Sequence, residues 1–130
     1  MKAFKLNSRI GELGEKIAKK YLLAKGYSIL AENYYQAKGL RSGEIDIIAE
    51  HNHNIHFIEV KTRVCQSGNL PVDPPELAIT KAKLQKMSKT AQFFLRETKK
   101  EGEIHFDAIV VYYFESVKKA QVKYLQDIYY

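Results

Sequence analysis

The sequence predicts a single three-layer α/β/α domain, with a central mixed sheet of about five strands, in the order α-β-β-β-α-β-β. Three observations carry this. Apolar residues recur at helical spacing early in the chain and again over residues 77–95. Between those stretches, two short runs rich in Ile, Val and Phe, residues 43–50 and 55–63, flank the polar His51-Asn52-His53-Asn54. That is the pattern of a β-hairpin, and apolar residues on both faces of each run place it inside a sheet covered above and below.

The first helix is predicted over residues 8–25, with Asn7 or Ser8 as N-cap and Gly26 as the C-terminal stop. Ile10, Leu13, Ile17, Tyr21 and Ala24 define its apolar face, with Glu15 on the flank near Ala18 and Leu22 and Glu12 pointing away. Residues 27–35 read as the first strand, and residues 36–42 as a basic, glycine-containing loop whose Lys38 and Arg41 can meet a phosphate backbone or simply face solvent.

The core hairpin follows. A two-residue turn at Asn52-His53 and a four-residue loop over 51–54 give the same pairing, with Asp46 opposite Glu59. Lys61, two residues on, points to the side of Glu59. Two carboxylates and one ammonium are thus expected on one face of a buried sheet, with negative charge that one lysine does not offset. A hard divalent cation held by oxygen ligands resolves that conflict. The alternative is a buried Asp-Lys-Glu ion network in an inactive protein.

Residues 64–73 read as an irregular loop beside the site, and Asp73-Pro74-Pro75-Glu76 as a helix entry. The second helix is predicted to run to about residue 100, burying Leu77, Leu84, Met87, Ala91, Phe94 and Leu95 and presenting Lys81, Lys83, Lys86 and Lys89 elsewhere. Residues 104–114 form the next strand and residues 121–125 an edge strand. Asp107 reads as a structural hydrogen-bonding acid. His51, His53 and His56 suggest zinc, but no fourth ligand is evident and His56 should face away from Glu59; hairpin polarity explains them more simply.

Composition bounds the function. The 130 residues suffice for one domain, 1–130, with 45% hydrophobic and 28% charged side chains. A net charge of +6 and a pI near 9.3 favour a polyanionic partner, nucleic acid or an acidic membrane surface, the alternative being a soluble protein that is merely basic. The lone Cys65 excludes an internal disulfide and fits a reducing, cytoplasmic setting. No stretch approaches the ~20 apolar residues of a membrane span, and no signal-peptide run opens the chain.

Asp46 followed across a hairpin by Glu59-Val60-Lys61 resembles the Asp…Glu-x-Lys signature of the PD-(D/E)xK, restriction-endonuclease-like superfamily. The segments Gly43-Glu44-Ile45-Asp46-Ile47-Ile48-Ala49 and Phe57-Ile58-Glu59-Val60-Lys61-Thr62-Arg63 look more closely like the bacterial YraN-like family, related to archaeal Holliday-junction resolvases. Weaker matches span residues 11–27 and Phe106-Asp107, with His105 where the family has Arg. Ile45 stands where the superfamily has its proline, a change shared with the Gly-Glu-Ile-Asp form of the YraN-like pattern. The resemblance implies a Mg²⁺- or Mn²⁺-dependent endonuclease acting on DNA, with the likeness to resolvases pointing to branched or structured DNA and to a homodimer. Asp46, Glu59, Glu15 and the Val60 carbonyl would hold metal, and Lys61 would hold the attacking water or stabilise the phosphorus centre. The resemblance brings Glu15 to the site; otherwise it pairs with Lys19 at i,i+4. Thr62, Arg63 and Lys83 would contact neighbouring phosphates, Lys83 by its place in the family pattern. The competing readings are a non-catalytic DNA- or RNA-binding module on the same fold, and an interaction protein whose basic face meets another acidic partner.

Overall fold

The computed structural model describes residues 2–36, 43–66 and 80–128, with side chains in the first helix from Arg9 onward. Helix α1 (Lys2–Ala24) precedes β1 (Ser28–Tyr34), β2 (Ile45–His51) and β3 (Asn54–Cys65); α2 (Lys81–Thr98), β4 (Ile104–Phe114) and β5 (Lys119–Leu125) complete the chain. The strands lie in that order in one sheet, antiparallel except for the parallel β3–β4 pair. One helix covers each face, giving the expected three layers. No described helix is long and apolar enough to cross a membrane.

Helix α1 starts earlier than its polar Asn7-Ser8 pair suggested, because Ala3, Phe4, Lys5 and Leu6 extend it. It ends as the glycine signal requires. Gly26 takes φ +90°, its N–H donates to the Leu23 carbonyl at 3.1 Å, and Tyr27 N–H reaches the Leu22 carbonyl at 2.9 Å. This is a Schellman closure, satisfying carbonyls the helix leaves open.

The buried line of α1 is Gly14, Ala18 and Leu22, whereas Ala24 is exposed. Ile17 and Tyr21 lie at its margin. Hydrophobicity alone misplaced the centre of the face because the smallest residues make the closest approach. A Cβ added to Gly14 would sit 1.8 Å from Thr62 Oγ1 on β3. Glycine is therefore required there by proximity to the sheet, and that proximity sets Glu15 beside the strand ends.

The hairpin turn is the two-residue form: Asn52 and His53 have φ +51° and +66°, the left-handed pair of a type I′ turn. Pairing runs from His51↔Asn54 to Ile47↔Ile58, the register the sequence predicts. Under α1, Ile47, Ala49, Ile58, Ile109 and Val111 pack with Ala18 and Leu22. Under α2, Ile45, Ile48, Ile55 and Phe57 pack with Ala91 and Phe94. Each fully buried side chain of this size contributes about 2 kcal/mol of transfer free energy.

Thr80 caps α2, accepting from Lys83 N–H at 3.1 Å. The proposed entry at Asp73–Glu76 and the predicted contact of Leu77 lie outside the described residues. β4 spans the predicted residues, and β5 begins at Lys119, two residues earlier than predicted.

Asp107 is fully buried and accepts from His56 Nδ1 at 2.7 Å, from the Asp127 backbone N–H at 2.8 Å and from the Tyr124 hydroxyl. Burial alone would raise its pKa, but those donors hold it below its ordinary value of 3.8.

Two outcomes follow for stability. Gly14→Ala is expected to cost about 2 kcal/mol in urea unfolding by overpacking, with Thr62→Ala recovering much of the loss in the double variant. Asp107→Asn is expected to cost about 3 kcal/mol at pH 7. Because the folded pKa of Asp107 is depressed, its contribution is present above pH 3.8 and fades as pH falls through the lower folded value. Acid unfolding of the native chain should therefore be steeper than that of the Asn variant.

Candidate functional site

Where β2 and β3 part, a carboxylate takes over from the backbone ladder. Beyond the Ile47↔Ile58 pair, Asp46 Oδ2 accepts the Val60 backbone N–H at 2.8 Å. The inside–outside alternation breaks at the same residue: Ile45 belongs to the core under α2 and Ile47 to the core under α1. Asp46 lines an open cleft of about 350 Å³ on the α1 side, together with Glu15, Val60, Thr62, Val64, Ile10 and Gly11.

Glu15 stands beside Gly14, where α1 meets Thr62. Its local alternative fails, because Lys19 Nζ bonds Glu32 at 3.0 Å instead. Burial raises the Glu15 pKa, and Asp46 and Glu44 raise it further; a hydrogen bond from Asn33 opposes them. With its amide turned to donate, Asn33 reaches both Glu15 Oε1 and Glu44 Oε1 at 3.2 Å. Neither Glu44 nor Asn33 was singled out from the sequence. An acid two residues before Asp46 was a usable signal, as was an asparagine at the strand end, since Asn33 takes φ +50°.

Asp46 shows the same strain. Burial pushes its pKa up, the Val60 N–H opposes, Glu59 raises it and Lys83 lowers it. Two acids with raised pKa values on one cleft mark a candidate functional site.

Glu59 turns the other way. It alternates with Ile58 and Val60, which pack on the α1 side, and so faces α2. There Lys83 Nζ donates to Glu59 Oε1 and Lys61 Nζ lies 3.3 Å from the same oxygen. The expectation that Asp46, Glu59 and Lys61 share one face thus holds for Glu59 and Lys61 and fails for Asp46. The register is as read, but the pleat is interrupted at Asp46, and face assignment by counting needs an unbroken pleat. The two acids still sense each other across the opening, as the effect of Glu59 on Asp46 records. Among the described residues no three His, Cys, Asp or Glu side chains gather closely enough to hold one metal ion.

The remaining predicted residues divide. Thr62 lies under Gly14 at the cleft, Arg63 is half-buried on β3, and Lys83 reaches Glu59 from the first turn of α2. Lys38 and Arg41 lie outside the described residues. The histidines are engaged elsewhere: His51 stacks on Tyr27 with ring centroids 4.2 Å apart, and His56 is bonded to Asp107. Cys65 is buried and unpaired.

Fold and site together define a three-layer α/β protein with an acid-lined cleft where two central strands separate. The uncharacterised protein family UPF0102 matches residues 14–111, which covers α1 from Gly14, β1 to β3, α2 and most of β4; the chain belongs to that family. A UPF0102 protein of Clostridium novyi is 40% identical over 92 residues, covering 71% of this chain and 70% of the relative. One of Caldanaerobacter subterraneus subsp. tengcongensis is 40% identical over 110 residues, covering 83% and 84%. One of Clostridium perfringens is 37% identical over 125 residues and 95% of each chain.

If Asp46 carries charge that the fold itself disfavours, Asp46→Asn should be tolerated. The amide still accepts the Val60 N–H and removes a buried ionisation. Because the folded pKa of Asp46 is raised, its destabilising contribution grows as pH rises from its unfolded value through the folded one. In EDTA at pH 7 the Asn variant is expected to be as stable as the native chain or about 1 kcal/mol more so, with the gain vanishing on acidification. Chemical denaturation at pH 7 and pH 4 measures this.

Proposed function

We propose that this chain is a metal-dependent nuclease that hydrolyses phosphodiester bonds in DNA. The observation that carries the reading is the pair Asp46 and Glu15: two partly buried carboxylic acids with raised pKa values on one cleft, bordered by the strand that bears Glu59 and Lys61. An all-oxygen donor set suits Mg²⁺ or Mn²⁺ rather than zinc. Asp46 and Glu15 would hold the ion, with the Val60 carbonyl as a further donor. A divalent ion at such a site lowers the pKa of bound water and offsets charge developing on the phosphoryl oxygens.

The protein's own groups supply the rest. The Val60 N–H fixes one Asp46 oxygen, leaving the other for a ligand. Lys61, one-third exposed beside Glu59, is placed to orient water or meet the phosphate. The charge of +6 favours approach of a polyanion. Likeness to the resolvases extends the proposal to branched or structured DNA and to a homodimer presenting two sites to two strands.

A second reading has its own observation. Glu59 is already neutralised by two ammonium groups, as expected of a DNA- or RNA-binding module that does not cleave.

Nicking of supercoiled plasmid and cleavage of a four-way junction, in Mg²⁺, Mn²⁺ and EDTA, separate the two. The nuclease reading expects ion-dependent cleavage that falls about a hundredfold or more in Asp46→Asn and in Lys61→Ala. Salt-sensitive binding without cleavage favours the second reading. Cleavage that persists in EDTA or in those variants overturns the assignment.

A further inference from the structure

The α1 wall of the cleft carries two glycines three residues apart, and packing among the described residues explains only one of them. Gly14 lies against the sheet, where a Cβ would collide with Thr62 Oγ1. Gly11 opens on free space: among the described residues, a Cβ built there meets nothing within 4 Å. Nor does its backbone require glycine, since the described glycines of positive φ are Gly26 and Gly102. It sits in the interior of a 23-residue helix, away from both ends. Glycine at such a position weakens a helix relative to alanine, because it gives up more backbone freedom and exposes the peptide groups.

What Gly11 does have is a place at the site. It lines the same cleft as Glu15 and Asp46, and β3 supplies the facing wall through Val60, Thr62 and Val64. Gly11 lies one helical turn before Glu15 and on the same stripe of α1, so a side chain at 11 would stand next to the Glu15 carboxylate. Without one, bare helix backbone is exposed at the cleft. Glycine is the residue that lets another molecule come up against the backbone.

We infer that Gly11 is where a strand of the nucleic-acid substrate lies against α1, its sugar–phosphate backbone passing over bare helix on the way to Asp46 and Glu15. The inference rests on the nuclease reading and deepens it, by naming the wall the strand follows and the residue that sets how close it comes. A water molecule or an ion needs room only at the acids. A continuous chain of sugars and phosphates needs room along the wall as well, and the net charge of +6 favours such a polyanion over a neutral occupant. Gly11 is therefore a substrate-positioning residue that works by having no side chain.

Two measurements on one set of variants test this, the first of them independent of nucleic acid. Gly11→Ala is expected to raise the melting temperature by about 2–4 °C, since alanine favours the helix and meets nothing. Gly14→Ala, which meets Thr62, should lower it. Binding of a fluorescently labelled four-way junction is then followed by anisotropy in Ca²⁺, an ion that takes oxygen ligands. Affinity should fall about fivefold or more in Gly11→Ala and further in Gly11→Leu, as expected when added methyl groups overpack a close contact. Ala24→Leu, which adds bulk at an exposed position at the far end of the same helix, should bind like the native chain. A Gly11→Ala chain less stable than the native one overturns the inference, because the glycine then makes room for the protein itself. So does junction binding that is unchanged in both Gly11 variants, or weakened equally in Ala24→Leu; the nuclease reading survives all three results. If no protein in the set binds the junction, the nucleic-acid reading falls and the inference with it.

Discussion

A backbone hydrogen bond given up at the end of a strand ladder organises this molecule. β2 and β3 pair as far as Ile47↔Ile58, and there the strands part. The Val60 N–H would be orphaned at that point, and a buried orphan donor is costly. The Asp46 carboxylate satisfies it, at the cost of a partly buried charge. Everything near the opening answers to that charge: Glu15 over the cleft, Asn33 bridging Glu15 and Glu44, and Lys83 reaching in from the far layer.

The same sheet shows what a structural carboxylate looks like. Asp107, also on the α1 side, is completely buried, yet its pKa is depressed because His56, Tyr124 and the Asp127 N–H all donate to it. Asp46 receives one backbone donor and has two acids for neighbours, and its pKa is raised. Burial is common to both; the number of donors differs. A fold able to saturate Asp107 with three donors leaves Asp46 short of them, and short in the direction that a cation corrects. That contrast separates a stability device from a site more sharply than burial or charge alone.

Much of this was legible in the residues. The two apolar runs around Asn52-His53 fix a hairpin, and a two-residue turn fixes its register, because side-chain period and turn length leave no other consistent pairing. Alternation likewise places His56 away from Glu59, and β4 is bounded by Gly102-Glu103 and the turn after Phe114. The sequence did not reveal what depends on three-dimensional approach. Gly14 and Ala18 look unimportant to a hydrophobicity count, yet their smallness lets α1 touch Thr62. The side on which Asp46 emerges depends on one local interruption of the pleat, invisible to a rule that assumes regularity. Lys83 reads as one of several solvated lysines until the docking of α2 sets it against Glu59. The resemblance to a family singled it out; the periodicity could not.

The failed half of the convergence expectation is informative about the chemistry. Like charges facing across a hairpin are unfavourable without a compensating cation. The chain meets that difficulty by rotating Asp46 into the α1-side cleft and drawing Glu59 towards α2, with a lysine on the far side. In a purely structural ion network, selection would favour removing one of the acids, since a well-packed neutral replacement commonly matches a buried ion pair in stability. Keeping both acids, with one shielded by an ammonium on a mobile stem, makes sense when the charge has a use. The strand opening keeps the two carboxylates within electrostatic reach of each other.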